Sequence, residues 1–311
     1  MMLSRVAERL YWMARYMERA EDTARLINAY SHLILDIPRG VEPGWSVLID
    51  TLDAQEAFQS RYRKMTERNV VKFLLADTDN PSSIRLAIQG ARENVRTTRD
   101  VLPAQAWELI NELHLYVGDS AEDSLARTPR FDFLETVIAK NQQLNGLIHT
   151  SVTRDHSLWF IKLGQLIERT DMTSRIVNVA TSAINADRRR TLPEVPLLWA
   201  NLLKSLSATA AYRRYVGPVL APDEVIDFIL KRRPFPRSIV YCLDNIEETV
   251  GQLRAPTGLL RELRETVNSI NRYNADIESP ERLHKLIDKL QIRLADLDEA
   301  IHEIWFALAT P

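Results

Sequence analysis

The chain matches itself. Glu18-Arg19-Ala20-Glu21-Asp22-Thr23-Ala24-Arg25 resembles Glu168-Arg169-Thr170-Asp171-Met172-Thr173-Ser174-Arg175, and Asn28 falls opposite Asn178. Further along, Trp45, Leu48, Leu52, Ala54 and Ala57 recur as Trp199, Leu202, Leu206, Ala208 and Ala211. A third block pairs Val70, Phe73, Leu75, Pro81, Ser83, Ile84, Glu93, Val95 and Arg99 with Val225, Phe228, Leu230, Pro236, Ser238, Ile239, Glu248, Val250 and Arg254. The blocks come in the same order, and their offset of roughly 150 residues lies far beyond the period of a solenoid repeat. They predict an internal duplication: one domain spanning 1–311, made of pseudo-repeats 1–150 and 151–311 related by a pseudo-two-fold.

The repeated unit reads as helical. Leu283, Leu286, Leu290, Leu294, Leu297, Ile301, Ile304 and Leu308 recur every third or fourth residue, which is one apolar stripe of a long helix. Ser279-Pro280 precedes it as cap and first-turn proline, and Asn80-Pro81 repeats that signature before 82–99. Pro103, Pro222, Pro236 and Pro256 are further first-turn candidates. Nine glycines in 311 residues is under half the usual ~7%, and no strong Asn-Gly or Asp-Gly hairpin signal occurs. The expectation is an all-α multi-helix bundle of about a dozen helices.

Forty Lys+Arg against forty-two Asp+Glu give a net charge of −2, which leaves no electrostatic footprint for nucleic acid or for an anionic membrane surface. The longest stretch free of charged residues, Asn141 to Thr153, is too short to span a bilayer. No apolar signal region opens the chain, so a cytoplasmic location is expected. One cysteine, Cys242, excludes a disulfide framework and reads as a small core residue. His32, His114, His149, His156, His284 and His302 lack metal-ligand spacing, and neither a metal nor another cofactor is expected.

The duplicated motif carries the charges of interest. On a helix Glu18, Glu21, Arg25 and Asn28 form one stripe, and Glu168, Asp171, Arg175 and Asn178 form the same stripe in the second copy. Arg19 and Arg169 complete each Glu-Arg pair, and the neighbouring Met17, Ala20, Ala24 and Ile27 put the first stripe beside the core. Two readings stay open. One is a buried network in which Glu21–Arg25 and Asp171–Arg175 pair within helices and charges cross between the halves. The other is a ligand or reaction site, though no histidine joins the carboxylates and the arginines would neutralise a cation site.

Weaker candidates surround it. Arg92, Arg96 and Arg99 share a helix face with Glu93 and Asn94, which would suit a phosphate or carboxylate, or simply solvent. Tyr11, Trp12 and Tyr16 read as core or pocket lining, and Arg188–Arg190 and Lys231–Arg233 as solvated basic runs.

Ser4-Arg5-Val6-Ala7-Glu8-Arg9-Leu10-Tyr11-Trp12, continuing through Arg15-Tyr16-Met17-Glu18-Arg19-Ala20-Glu21, resembles the bacterial alpha-E family. Ala91-Arg92-Glu93-Asn94-Val95-Arg96 and Ile167-Glu168-Arg169-Thr170-Asp171-Met172-Thr173 resemble its second and third signatures. Ala14 stands where glycine is expected, and Thr170 where alanine is usual. The resemblance implies an all-helical protein whose genes sit beside a circularly permuted ATP-grasp ligase and a transglutaminase-like peptidase. It thereby implies those two proteins as partners, and a non-catalytic role in assisting the ligase or holding its substrate. The rival is an enzyme acting on peptide or amide bonds through the Glu/Arg cluster, with one carboxylate as general base. A third reading is an oligomerisation scaffold.

Overall fold

The computed structural model describes residues 4–37, 44–186, 195–276 and 279–307. Fourteen α-helices and no strand occur among them. In chain order these are α1 (Ser4–Asp36), α2 (Ser46–Thr51), α3 (Gln55–Gln59), α4 (Glu67–Leu75), α5 (Ile84–Arg96), α6 (Ala104–Ser120) and α7 (Arg127–Ser151). Then follow α8 (His156–Ala186), α9 (Val195–Ser205), α10 (Thr209–Tyr215), α11 (Pro222–Lys231), α12 (Ile239–Gln252), α13 (Thr257–Arg272) and α14 (Pro280–Ile301). A π-helical turn, His302–Phe306, extends α14. No helix among the described residues is long and apolar enough to cross a membrane. Leu308 of the apolar stripe and the Arg188–Arg190 run lie outside the described residues.

α1 is the axis of the assembly. Ala20 through Ala24 are buried without a break, and five consecutive residues cover more than one helical turn, so this stretch is enclosed on every side. α5, α7, α8 and α9 all pack on α1, and α12 and α14 pack on α8. Two glycines set the spacing on opposite flanks. A Cβ on Gly164 of α8 would lie 2.3 Å from the Tyr11 carbonyl oxygen, and one on Gly90 of α5 would lie 2.9 Å from the Tyr16 ring. α8 therefore approaches the α1 backbone more closely than any other residue type permits, whereas at Gly90 a side chain would displace the Tyr16 ring.

Local signals mostly act where the residues place them, with shifts of a turn. Ser83 and Ser238 cap α5 and α12, each accepting a backbone amide at 3.1 Å with nearly the same backbone angles. Asn80-Pro81 thus shapes the turn before the cap, and the helix runs Ile84–Arg96 rather than from 82 to 99. Pro236 plays the same part before α12. Pro222 and Pro280 do open their helices, whereas Pro103 and Pro256 sit one position earlier, as N-caps. Ser279 makes no side-chain cap, so proline alone marks the start of α14. Asp53 and Ser207, just past α2 and α9, both turn the chain through left-handed geometry, at φ 51° and 52°.

A buried arginine ties α4 to α7. Arg130, 1% exposed, bonds Glu67 of α4 at 3.0 Å and the Leu125 carbonyl at 2.7 Å, and its guanidinium lies 5.6 Å from the Trp45 ring centre.

The close approach at Gly164 sets a test. Gly164→Ala should lower stability by about 1–3 kcal/mol through steric overlap. Gly146→Ala in α7, where nothing lies within 4 Å of the added methyl, should raise it by up to about 1 kcal/mol. Urea unfolding of both variants checks the pair, and equal effects would remove the contact at Tyr11 as the cause.

Candidate functional site

The two Glu-Arg pairs meet, and each reaches across to the other helix. Arg19 of α1 grips Glu168 of α8 through Nε–Oε1 at 2.5 Å and Nη2–Oε2 at 3.0 Å. Arg169 of α8 grips Glu18 of α1 in the same fashion, at 2.6 and 2.9 Å. Both are two-point contacts between planar groups, the strongest form of side-chain ion pair. Glu18 is completely buried and Glu168 nearly so.

Further charges extend the pairs into a network. Arg15 donates Nε to Glu168 Oε2 at 2.8 Å and Nη1 to Asp298 of α14 at 2.7 Å, and the Tyr11 hydroxyl also donates to Asp298. Within each helix an i,i+4 pair forms as expected: Arg25 with Glu21 at 2.7 Å and Arg175 with Asp171 at 2.8 Å. Arg237, in the turn before α12, donates Nη1 to Asp22 at 2.5 Å and lies 3.3 Å from both Glu18 and Glu21. Six arginines thus face six carboxylates. Trp12 and Tyr16 belong to the cover of this network, with the Arg15 and Arg19 guanidiniums 5.0 and 5.8 Å from their ring centres.

Two neighbouring carboxylates are driven in opposite directions. Burial pushes Glu18 up, but the Arg169 and Arg237 charges and the hydrogen bonds from Arg169 and Gln165 outweigh it and leave the group lowered to about 2. Glu168, equally buried, is held down by Arg19 and Arg15. Asp22 goes the other way: burial raises it, Arg237 offsets only part, and the adjacent Glu18 and Glu21 charges push it up to about 7. Its Oδ2 has no hydrogen-bond partner among the described residues.

All of Glu18, Arg19, Glu21, Arg25, Glu168, Arg169, Asp171 and Arg175 are therefore brought to one place. The other candidates are directed elsewhere. Arg92 donates to Asn111 of α6 at 2.8 Å, and Arg92 and Arg99 lie 4.9 and 3.7 Å from the Trp107 ring centre. Arg96 turns to Glu93 at 2.6 Å on an exposed face. Lys231 and Arg233 pair with Asp227 and Asp244, and Cys242 is a buried core thiol raised to about 11 by burial. His284 Nδ1 lies 2.9 Å from the Oδ1 acceptor of Asn178, the last member of the second stripe. Among the described residues no cluster of three His, Cys, Asp or Glu is arranged to hold a metal ion.

Sequence reasoning did not single out Asp22, Arg237, Asp298 or, as part of the network, Arg15. Asp22 falls opposite Met172 and Arg237 opposite Ser82, so self-comparison passes over both. Arg237 does sit between Pro236 and Ser238, two residues that the repeat singles out, and that was the available signal.

The outer edge of the network floors a cleft of about 350 Å³, lined by Arg25, Arg169 and Arg237 with Gln142, Asn145 and Gln165. An adjoining cleft of about 240 Å³ shares Asn145, Gln165 and Arg169 and continues to Trp159, Tyr241 and Asn245.

The fold and the site together define an all-helical domain whose two longest helices are clasped by reciprocal glutamate–arginine pairs. The chain belongs to the Alpha-E family, described as a predicted alpha-helical domain with a conserved ER motif, whose profile matches residues 2–306. Uncharacterized proteins of Mycobacterium bovis and Mycobacterium tuberculosis are 24% identical over 328 residues. That covers 96% of this chain and 35% of theirs, so the chain spans about a third of the length of these relatives. No solved structure matches it.

The clasp predicts two kinds of response to charge removal. Glu18→Gln and Glu168→Gln each strand a buried arginine and should cost about 3–5 kcal/mol, a drop of roughly 5–15 °C in melting temperature. Asp22 behaves inversely. Its folded-state pKa of about 7 exceeds the ordinary 3.8, so its contribution is present below 3.8 and is lost as pH rises through 7. Asp22→Asn should therefore flatten the fall in melting temperature between about pH 5 and pH 8. An unchanged slope would assign that titration to another group.

Proposed function

We propose that the protein is a non-catalytic binding module that holds a peptide- or amide-bearing ligand in the cleft beside Arg169 and presents it to an ATP-grasp-type amide ligase. The lining of the cleft carries this reading. Gln142, Asn145 and Gln165 offer carboxamides, each with a donor and an acceptor, the complement of a peptide group. Arg25, Arg169 and Arg237 border the same space, and a guanidinium has five N–H donors, so pairing with carboxylates leaves edges for an anionic terminus. Trp159 and Tyr241 extend the adjoining cleft with aromatic surface. The ligase, and a transglutaminase-like protein acting on the same material, are the partners that the alpha-E resemblance implies.

The same proposal treats the chain as two copies of one unit. Reciprocal Glu-Arg pairs, matching Ser83 and Ser238 caps and matching left-handed residues at Asp53 and Ser207 support it.

One observation favours the rival, an enzyme in its own right: a carboxyl raised to about 7, as at Asp22, is what a general acid or base needs. Asp22 is 3% exposed and lines neither cleft, so a ligand held there does not reach it. The binding reading is the one the geometry favours.

Asn145 lies in both clefts, and Asn145→Trp fills them from the α7 side. Purified protein and the ATP-grasp ligase of the same genome should form a complex in titration calorimetry. Asn145→Trp should reduce the ligase's turnover of its peptide substrate by about tenfold or more, the effect of losing ~1.4 kcal/mol of binding, with an unchanged melting temperature. Absence of any complex would sink the proposal. Turnover of a peptide by this chain alone would favour the rival.

A further inference from the structure

The outward face of α14 reverses its charge halfway along. Lys285, Lys289, Ile292, Asp296 and Glu299 are spaced by alternate steps of four and three, so they form one stripe of the helix. All five are exposed, and Ile292, at 61%, is one of the most exposed large apolar side chains of the described chain. The order along the stripe is two cations, one aliphatic residue, two anions. Asp288, beside the cationic end, is turned aside to His284 Nε2 at 3.3 Å.

α13 forms the other wall of this face, with Arg272 at one end and a mixed run, Arg261, Glu262, Arg264 and Glu265, at the other. It runs alongside α14 in the opposite direction, and a groove lies between the two helices. At one end Arg272 faces Lys285 and Lys289 across a cavity of about 410 Å³ over an apolar floor that includes Leu286 and Leu290. At the other end Glu262 and Glu265 face Asp296 across about 240 Å³. Arg293, bonded to Thr266 at 2.7 Å, marks the junction. The α14 stripe is therefore the bipolar part of this surface, with an unburied aliphatic residue at the changeover.

We infer that the α13–α14 hairpin docks on a second copy of this chain, antiparallel, with the two-fold axis passing beside Ile292. An antiparallel partner related by that axis places its acidic pole on this cationic pole and, by symmetry, its cationic pole on this acidic one. Lys285 then faces the partner's Glu299, Lys289 the partner's Asp296, and the two Ile292 side chains meet at the centre. A closed isologous contact of this kind needs only one self-complementary patch. A uniformly acidic peptide or a nucleic acid would be attracted by one pole and repelled by the other, so neither fits the whole surface. At 1.5 Å rise per residue α14 is about 33 Å long, and with α13 beside it the face has the extent of a standard interface, ~800 Å² per partner. The inference is independent of the ligand cleft, which lies against α7 and the turn before α12.

Sedimentation velocity tests it. The full chain should form a dimer in low salt that dissociates as salt is raised to ~0.5 M, where the Debye length shrinks to a few ångströms. Lys285→Glu with Lys289→Glu makes both poles acidic, and Asp296→Lys with Glu299→Lys makes both cationic; each variant alone should be monomeric. An equimolar mixture of the two should associate, and a chain carrying all four reversals should dimerise again. Ile292→Asp should weaken the dimer by at least about tenfold. These positions are exposed, and a cooperative thermal melt with native helical content confirms that each variant is folded. The proposal is overturned if wild type is monomeric at every concentration, if either charge variant still dimerises as wild type does, or if the mixture of folded variants stays monomeric.

Discussion

A carboxylate removed from water must have a cation in contact with it, and Glu18 and Glu168 are both removed from water. The reciprocal pairing meets that need without leaving a surplus charge. Arg19 and Arg169 each satisfy both oxygens of a carboxylate on the facing helix, so neither α1 nor α8 can carry its own charges inside alone. Desolvating such groups is costly, and their attraction offsets the cost only when the geometry is close to ideal. The clasp therefore acts less as added stability than as a condition on assembly. Any register of α1 against α8 other than the observed one would bury unpaired arginine and glutamate together.

The condition spreads outward because the network has branches. Arg15 continues from Glu168 to Asp298 and thereby draws in α14, more than 280 residues away in the chain. Arg237 inserts the turn before α12 among Glu18, Glu21 and Asp22. The close contact of Gly164 with the Tyr11 backbone is what lets these side chains span the helix pair at 2.5–3.0 Å. Apolar packing alone tolerates small slips, but a two-point ion pair between planar groups does not. The hydrophobic core supplies the bulk of the driving force, and the clasp selects one arrangement of it.

Periodicity and proline placement were enough to read the all-helical class, because an uninterrupted 3.6-residue pattern with few glycines leaves no competing architecture. The core half of the site was legible for a related reason: the same Glu-Arg spacing appears twice, and a repeated charge beside apolar positions is hard to explain on a solvent face. What self-comparison cannot register is a partner present once. Asp22 and Arg237 have apolar or uncharged counterparts, and Asp298 lies on a helix with no matched acidic motif. Their roles depend on which helix ends come together, a tertiary fact with no local spacing. The Arg92 face illustrates the opposite limit. Its spacing suggested three converging cations, yet Trp107 of α6 takes two of them and Glu93 the third.

Chemistry and architecture make opposed demands on the same side chains. A carboxylate acts as a base through a lone pair directed at substrate, whereas both oxygens of Glu18 and of Glu168 are already directed at guanidiniums. Those same contacts hold Arg169 and Arg237 at the cleft margin, where both side chains are largely buried. Fixed donors of this sort bind without first having to be ordered, which is where preorganised sites gain affinity. In the proposed binding reading the motif therefore contributes by position: its acidic members are consumed in the interior, while Arg169 stands at a defined place on the rim.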